Sequence, residues 1–265
     1  MKRFRMSIIG ALALLMPAAA HAGTVGCNNS APNPFANVTP KTGPSVLICA
    51  GGTLFSFTTF TTQGKLQILA PTRLNLSGNA SILVSATFNS DPFVSFMFQS
   101  ILPSGFGPLL FDVMFTTPVI GGGYNNATSV GTLGLSETGV GATTGTVSQG
   151  SQQTYIGGFA DATNLNVGTG TGTCSVSTPP ISNSTTCNPP GASSNFAPIS
   201  PSNLIARLSY SQNATGVEAL STASWSGTVT LNSVTTTAPE PSTIALMFVG
   251  LMVVGGAGYR RNRKA

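Results

Sequence analysis

Short runs of β-branched and aromatic residues fill the chain from Thr53 onward, several of them alternating apolar with polar. No segment between residues 23 and 237 carries a capped, helix-length 3.6-residue periodicity. Side chains leave a strand on opposite sides in turn, so such runs can bury one face each and little else. In "RLNLSGNASILVSATF", Leu74 and Leu76 alternate with Asn75 and Ser77; Ser77-Gly78-Asn79 then marks a turn into Ile82, Val84, Ala86 and Phe88 or their neighbours. This is the pattern of a hairpin with one dry and one wet face. "TLFSFTTFTT", "KLQILA", "FVSFMFQ", "LLFDVMFTT", "LIARLSY" and "SWSGTVTLNSV" read as further strands. The expected fold class is all-β, an antiparallel β-sandwich or jelly roll.

Two stretches interrupt the pattern. Residues 118–172 are rich in Gly, Thr and Ser, and long structureless loops are uncommon inside a domain, so thin strands such as "SVGTLGLS" and "QTYIGGF" are expected there. Residues 173–203, rich in Pro, Asn and Ser, read as a disulfide-clipped loop. Four cysteines allow three pairings; the neighbour pairing, Cys27 with Cys49 and Cys174 with Cys187, is preferred. A bridge across "CSVSTPPISNSTTC" would lower the unfolded-state entropy of a segment without a hydrophobic face by about 3 kcal/mol. No CxxC spacing supports a zinc site, and neither a metal nor any other cofactor is expected. Repeats of fixed period are absent, and the irregular Thr doublets read as the wet faces of ordinary strands rather than an ice-binding ladder.

Only 6% of the 265 residues are charged, against about a quarter in ordinary globular domains. The net charge of +5 belongs to the ends, where seven of the eleven basic residues lie. Between residues 23 and 237, Lys41, Lys65, Arg73 and Arg207 face Asp91, Asp112, Glu137, Asp161 and Glu218, a net of −1. So few scattered cations make no phosphate-binding patch, which excludes nucleic acid as a partner.

"MKRFRMSIIGALALLMPAAAHA" has a basic start, an apolar run from Met6 to Met16, a helix-breaking Pro17, and Ala20 and Ala22 flanking His21. This is a secretory signal peptide with cleavage expected after Ala22; the apolar run is too short to span a bilayer. Its removal takes away His21, the single histidine, so Ser-His-Asp and Cys-His catalysis and imidazole-bound metals are excluded from the mature chain. A carboxylate-dependent hydrolase is the remaining enzymatic option. Asp112, inside "LLFDVMF", is its best candidate, although the acid more commonly sits on the solvated face while Leu110 and its alternates turn inward. Asp91 before Pro92 reads as a turn starter. Trp225, the single tryptophan, is the candidate ligand-binding residue, a core position being the commoner fate of an indole in an alternating strand.

From Ser242 to Tyr259 eighteen residues carry no charge, about 27 Å of helix at 1.5 Å per residue, enough for a single C-terminal transmembrane helix across a thin bilayer. "RRNRK" after it would stay in the cytoplasm. Pro239-Glu240-Pro241-Ser242-Thr243, this short Gly-interrupted apolar run and the terminal Arg cluster together resemble the PEP-CTERM sorting signal of Gram-negative bacteria that make extracellular polysaccharide. Ala238 stands where Val is common in that family. The same C-terminal domain is also grouped with ice-binding proteins, some of which carry it; that label describes the tail. The resemblance implies recognition by an exosortase, a membrane protease or transpeptidase that cuts near the Pro-Glu-Pro. Pro239, Glu240 and Pro241 would then be the recognition element, Ile244 to Gly258 the membrane segment and Arg260 to Lys264 the stop-transfer end.

The expected organisation is therefore a signal peptide (1–22), an exported β-rich domain (23–237) and a sorting and anchor segment (238–265). The expected function is a non-catalytic structural or adhesive protein, held in the inner membrane until processing and then at the cell surface or outside. Its expected partners are the secretion translocon, the exosortase and extracellular polysaccharide. A carbohydrate- or ice-binding module is the alternative.

Overall fold

The structure, a computed structural model, describes residues 21–27, 35, 43–90, 92–105, 107–157, 163–178, 182–187, 192–199 and 202–233. The chain divides into a main unit, Met1–Asn232, and a C-terminal unit, Ser233–Ala265. Most of the expected signal peptide, including Ala20, and the whole sorting segment with Pro239, Glu240, Pro241 and the expected membrane helix lie outside the described residues.

Thirteen strands are described. In chain order they are β1 (His21–Gly26), β2 (Ser45–Ala50), β3 (Thr53–Phe57), β4 (Thr61–Gln63), β5 (Leu66–Asn75), β6 (Ser81–Asn89), β7 (Phe93–Pro103) and β8 (Leu109–Pro118). The remainder are β9 (Tyr124–Ile156), β10 (Thr163–Thr178), β11 (Ser182–Cys187), β12 (Ala192–Ile199) and β13 (Asn203–Ser233). The only described helical element is a 3-10 turn, Ser77–Asn79, which closes the β5–β6 hairpin with Asn75 opposite Ser81. Gly78 takes φ +63° there, a conformation glycine adopts without steric cost. Ile82, Val84, Ala86 and Phe88 are the buried alternates of β6.

Nine strands follow one antiparallel hydrogen-bonded path, β1-β3-β2-β8-β13-β7-β6-β5-β4, and β9 joins it at β13 and carries β10, β11 and β12. The path becomes a sandwich because β13 folds over. Its first half, Asn203 to Gln212, pairs with β8, and its second half, Leu220 to Thr230, pairs with β7. The Gln212 side-chain amide donates to the carbonyl of Ser221 at 3.0 Å, although nine residues of straight strand would separate them by about 30 Å. Gly216 at φ +120° and Glu218 at φ +51° make the bend. Strand β9 follows β13 around it: Gly157 N–H donates to Asn203 O at one end, and the Asn232 amide donates to Asn126 Oδ1 at the other. The first sheet is thus β1, β3, β2, β8 and the adjoining halves of β13 and β9, and the second is β4 to β7 with the other halves.

Aromatic pairs knit the sheets together. Phe96 of β7 stacks on Phe115 of β8 at 4.5 Å between centroids, Phe98 meets Phe111 edge-on, and Trp225 packs against Tyr210 at 5.9 Å. Each such contact adds about 1 kcal/mol beyond the area it buries. Strand β2 and most of β8 are buried on both faces, because Phe35, Leu47, Cys49, Leu54, Met114 and Ile205 form a second small core outside the first sheet. The Cys27–Cys49 disulfide lies in that layer.

The strands expected in the Gly/Thr region form: "SVGTLGLS" and most of "QTYIGGF" lie in one 33-residue strand, β9, and residues 163–172 open β10. One expectation needs correction. The described parts of residues 173–203 are extended rather than a loop: β10, β11 and β12 return along the free edge of β9. The ladder to β9 supplies the backbone partners that the segment's own side chains could not, so low hydrophobicity does not keep it out of the sheet. The Cys174–Cys187 disulfide forms as expected. Its role differs: Cys174 pairs with Val147 and Cys187 with Leu133, residues on opposite halves of β9, so the bridge ties one sheet to the other.

Candidate functional site

Asp112 sits on β8 opposite Ser209, on the face of the first sheet turned away from the main core. Leu110 shares that face and is exposed; the inward alternates are Phe111, Val113 and Phe115. Both Nε and Nη2 of Arg207 donate to Asp112 Oδ1, at 3.2 and 2.8 Å. Burial raises the Asp112 pKa and the guanidinium partly offsets it. Arg207 and a hydrogen bond from Ser209 hold the Asp112 carboxylate. Asp91, Asp161 and Lys41 lie outside the described residues.

Trp225 has no exposed surface. Its partner Ser224 takes the outward face, and the indole fills the space between the sheets beside Tyr210. No face of the ring is open to a sugar, so Trp225 is a core residue and not a stacking platform.

The interior is divided in chemistry. Between β5–β8 and the adjoining parts of β13 it is aliphatic and aromatic. Toward β9 it turns polar: Ser100, Ser129, Glu137, Thr143, Gln152, Thr154, Gln212 and Ser221 are all buried. Gln152 Nε2 crosses between the two halves of β9 to reach Ser129 Oγ at 2.9 Å and Val130 O at 3.2 Å.

The denser cluster lies where β13 and β9 fold. Ser100 Oγ and Tyr210 Oη are 2.7 Å apart. The Ser100 hydroxyl donates to Gln212 Oε1, and Gln212 Nε2 donates to Ser221 O at 3.0 Å and Ser221 Oγ at 3.2 Å. With the Ser100 proton so committed, Tyr210 donates to Ser100. Beside Ser221 stands the Glu137 carboxylate, without exposed surface; the Ser221 hydroxyl is near enough to stabilise it, though outside strict hydrogen-bond geometry. Burial raises its pKa to about 7, offset only in part by the neighbouring Ser221 hydroxyl. Burial also pushes the Tyr210 phenol well above its ordinary value. Space for the acid comes from Gly145: a Cβ there would collide with the Glu137 carboxylate and lie 2.8 Å from Ser221 Oγ. Glu137 belongs to no motif, but Leu133, Leu135 and Glu137 share one strand parity, and that parity is the inward one.

The outer face of the second sheet is of another kind. Thr87, Ser95 and Thr228 lie in one cross-strand row, and Ser85, Met97 and Ser226 in the next. Thr132, Ser136 and Thr138 extend the hydroxyl face onto β9. Met97, Val130 and Leu220, 39%, 56% and 39% exposed, are large apolar side chains on it. Two shallow grooves of about 290 and 260 Å³ flank β7 here, sharing Ser95 and Phe96. The outward positions of β6, β7 and the second half of β13 carry no charge.

A family model described as the PEP-CTERM protein-sorting motif matches residues 237–264. The tail is therefore a PEP-CTERM sorting segment, which implies export, anchoring in the membrane before processing, and processing by an exosortase. No curated protein matches the chain. Two solved structures of infectious bursal disease virus, Gx and Gt strains, align with it at 10% and 12% identity. They cover 82% and 80% of this chain and 72% and 71% of theirs, each with a TM-score of 0.23, which is too low to carry a conclusion.

Proposed function

We infer that the β domain is a non-catalytic structural or adhesive component delivered to the cell surface or extracellular matrix. The observation that carries this reading is the hydroxyl-rich outer face of β6, β7 and the second half of β13, uncharged along those strands, on a chain bearing a sorting tail. Such a face offers many weak hydrogen bonds to a hydrated neutral partner and repels nothing. The sandwich suits an exposed location: two disulfides brace it, and the acid best placed for hydrolysis is occupied by Arg207.

Cells lacking the protein should lose surface adhesion, regained with the wild-type chain and not with one carrying Ser226→Glu and Thr228→Glu. Equal adhesion of all three strains overturns the reading, and so does a hydrolytic activity of the purified protein that Asp112→Asn abolishes. The carbohydrate- or ice-binding alternative draws on the two grooves beside β7. Glycan arrays and ice-recrystallisation assays would reveal it, and the discriminating substitutions belong on that face rather than at Trp225.

A further inference from the structure

We propose that Gln212 and Ser221 condense into an intramolecular ester, with Glu137 as the base, so that β13 covalently clamps the two sheets at its own fold. The inference does not depend on the adhesive reading. It starts from four groups brought together in the interior: a hydroxyl, a primary amide, a carboxylate beside that hydroxyl, and a second hydroxyl on the amide oxygen. Ser100, Glu137, Gln212 and Ser221 have no exposed surface.

Ser221 Oγ is 3.2 Å from Gln212 Nε2. The carbonyl carbon bonded to that nitrogen is then no more than about 4.5 Å from Oγ, a C–N bond being about 1.33 Å. A shift of about 1 Å brings it to the attack distance of roughly 3–3.5 Å. The Glu137 carboxylate and the Ser221 hydroxyl share the niche that Gly145 leaves open. As Oγ attacks, its proton passes to Glu137 and a C–O bond forms. Negative charge gathers on Gln212 Oε1, which already accepts the Ser100 hydroxyl, itself backed by Tyr210. The C–N bond then breaks and the Glu137 proton leaves with the nitrogen as ammonia. The carboxylate ends as it began, and no oxidant or co-reactant is consumed.

Packing alone would account for the hydroxyls and the amide, which satisfy one another. It does not account for the carboxylate. A buried acid without a cation is costly; the described cations lie elsewhere, Arg207 on Asp112, Arg73 on Ser81 and Lys65 in the β4–β5 turn. The elements packed against Glu137 present no charge to it: Asn183 lies opposite on β11, Ser221 and Gln212 on β13, and Gly145 on the far half of β9. A pKa of about 7 matches a base working near neutral pH.

The test is the intact mass of the full-chain protein purified from its own cells, with disulfides reduced. The expected mass falls short of the processed sequence by one ammonia. Glu218 lies between the two linked residues, so Glu-specific cleavage after it should leave the flanking fragments joined, and hydroxylamine should part them. Joined fragments also separate this linkage from ammonia lost elsewhere. Glu137→Gln and Ser221→Ala should each restore the full mass and free the fragments. A wild-type protein of full sequence mass whose fragments separate at Glu218 overturns the proposal, whether or not the variants fold.

Discussion

Glu137 is buried without a cation, and its position makes stability depend on pH. Its ordinary pKa of 4.5 rises to about 7 in the fold. A raised folded-state pKa means that the native state holds a proton the unfolded chain releases between those values. Stability is therefore fully present below about pH 4.5 and declines as pH rises through 7, by up to about 3 kcal/mol for this shift. Denaturation of a Ser221→Ala chain, in which no ester can form, should show that decline between pH 4.5 and 8; adding Glu137→Gln should flatten it. Gly145→Ala would set a Cβ against the carboxylate and Ser221 Oγ. A loss of about 1–3 kcal/mol is expected by overpacking, read as a fall in Tm. Arg207→Met would strand Asp112 without its cation. A loss of about 3 kcal/mol near neutral pH is expected in chemical denaturation, shrinking in the double variant Asp112→Leu, Arg207→Met. The side of Asp112 was misread, since Leu110 was expected to turn inward whereas it shares the outer face with Asp112, which is itself buried there, and Phe111, Val113 and Phe115 turn inward; the inward parity of Glu137 was legible from Leu133 and Leu135. What each meets there was not, because parity names a face and not a neighbour.

At the scale of elements, the long return β10–β12 is the unusual feature. Residues 163–199 carry no charge, and charge is the usual guard of an edge strand. Register shifts between Asn164 and Cys174 interrupt the edge instead. The Cys174–Cys187 bridge then holds the two edges of the sandwich together. Replacing both cysteines by serine should cost about 3 kcal/mol and speed hydrogen exchange in β10 and β11 before β6 and β7. Equal exchange in all four strands would contradict this role. The cysteine pairing could be preferred from proximity in the chain. Its mechanical role could not, since Val147 and Leu133 face each other only because β9 folds. The expected loop at 173–203 failed for a related reason: Ser, Thr and Asn make a poor core but an adequate edge when a long partner strand supplies the ladder.

For the whole molecule, the ends and the middle answer to different physics. The tail acts as a linear segment, so it was readable as written: Pro-Glu-Pro, an apolar run and basic residues match the PEP-CTERM sorting motif at residues 237–264. The intact mass of protein from cells with and without the exosortase should differ by loss of the residues after the Pro-Glu-Pro; a tail retained in both strains would make it a plain anchor. The all-β class was equally legible, because alternation of side chains is a property of the backbone itself. The sandwich, the second core outside β2 and β8, and the meeting of Gln212, Ser221 and Glu137 were decided only in three dimensions. Each depends on where β9 and β13 bend, and those bends rest on Gly216, Glu218 and the pairing of strands far apart in the chain. Local alternation determines which way a side chain points; long-range pairing determines what it finds there.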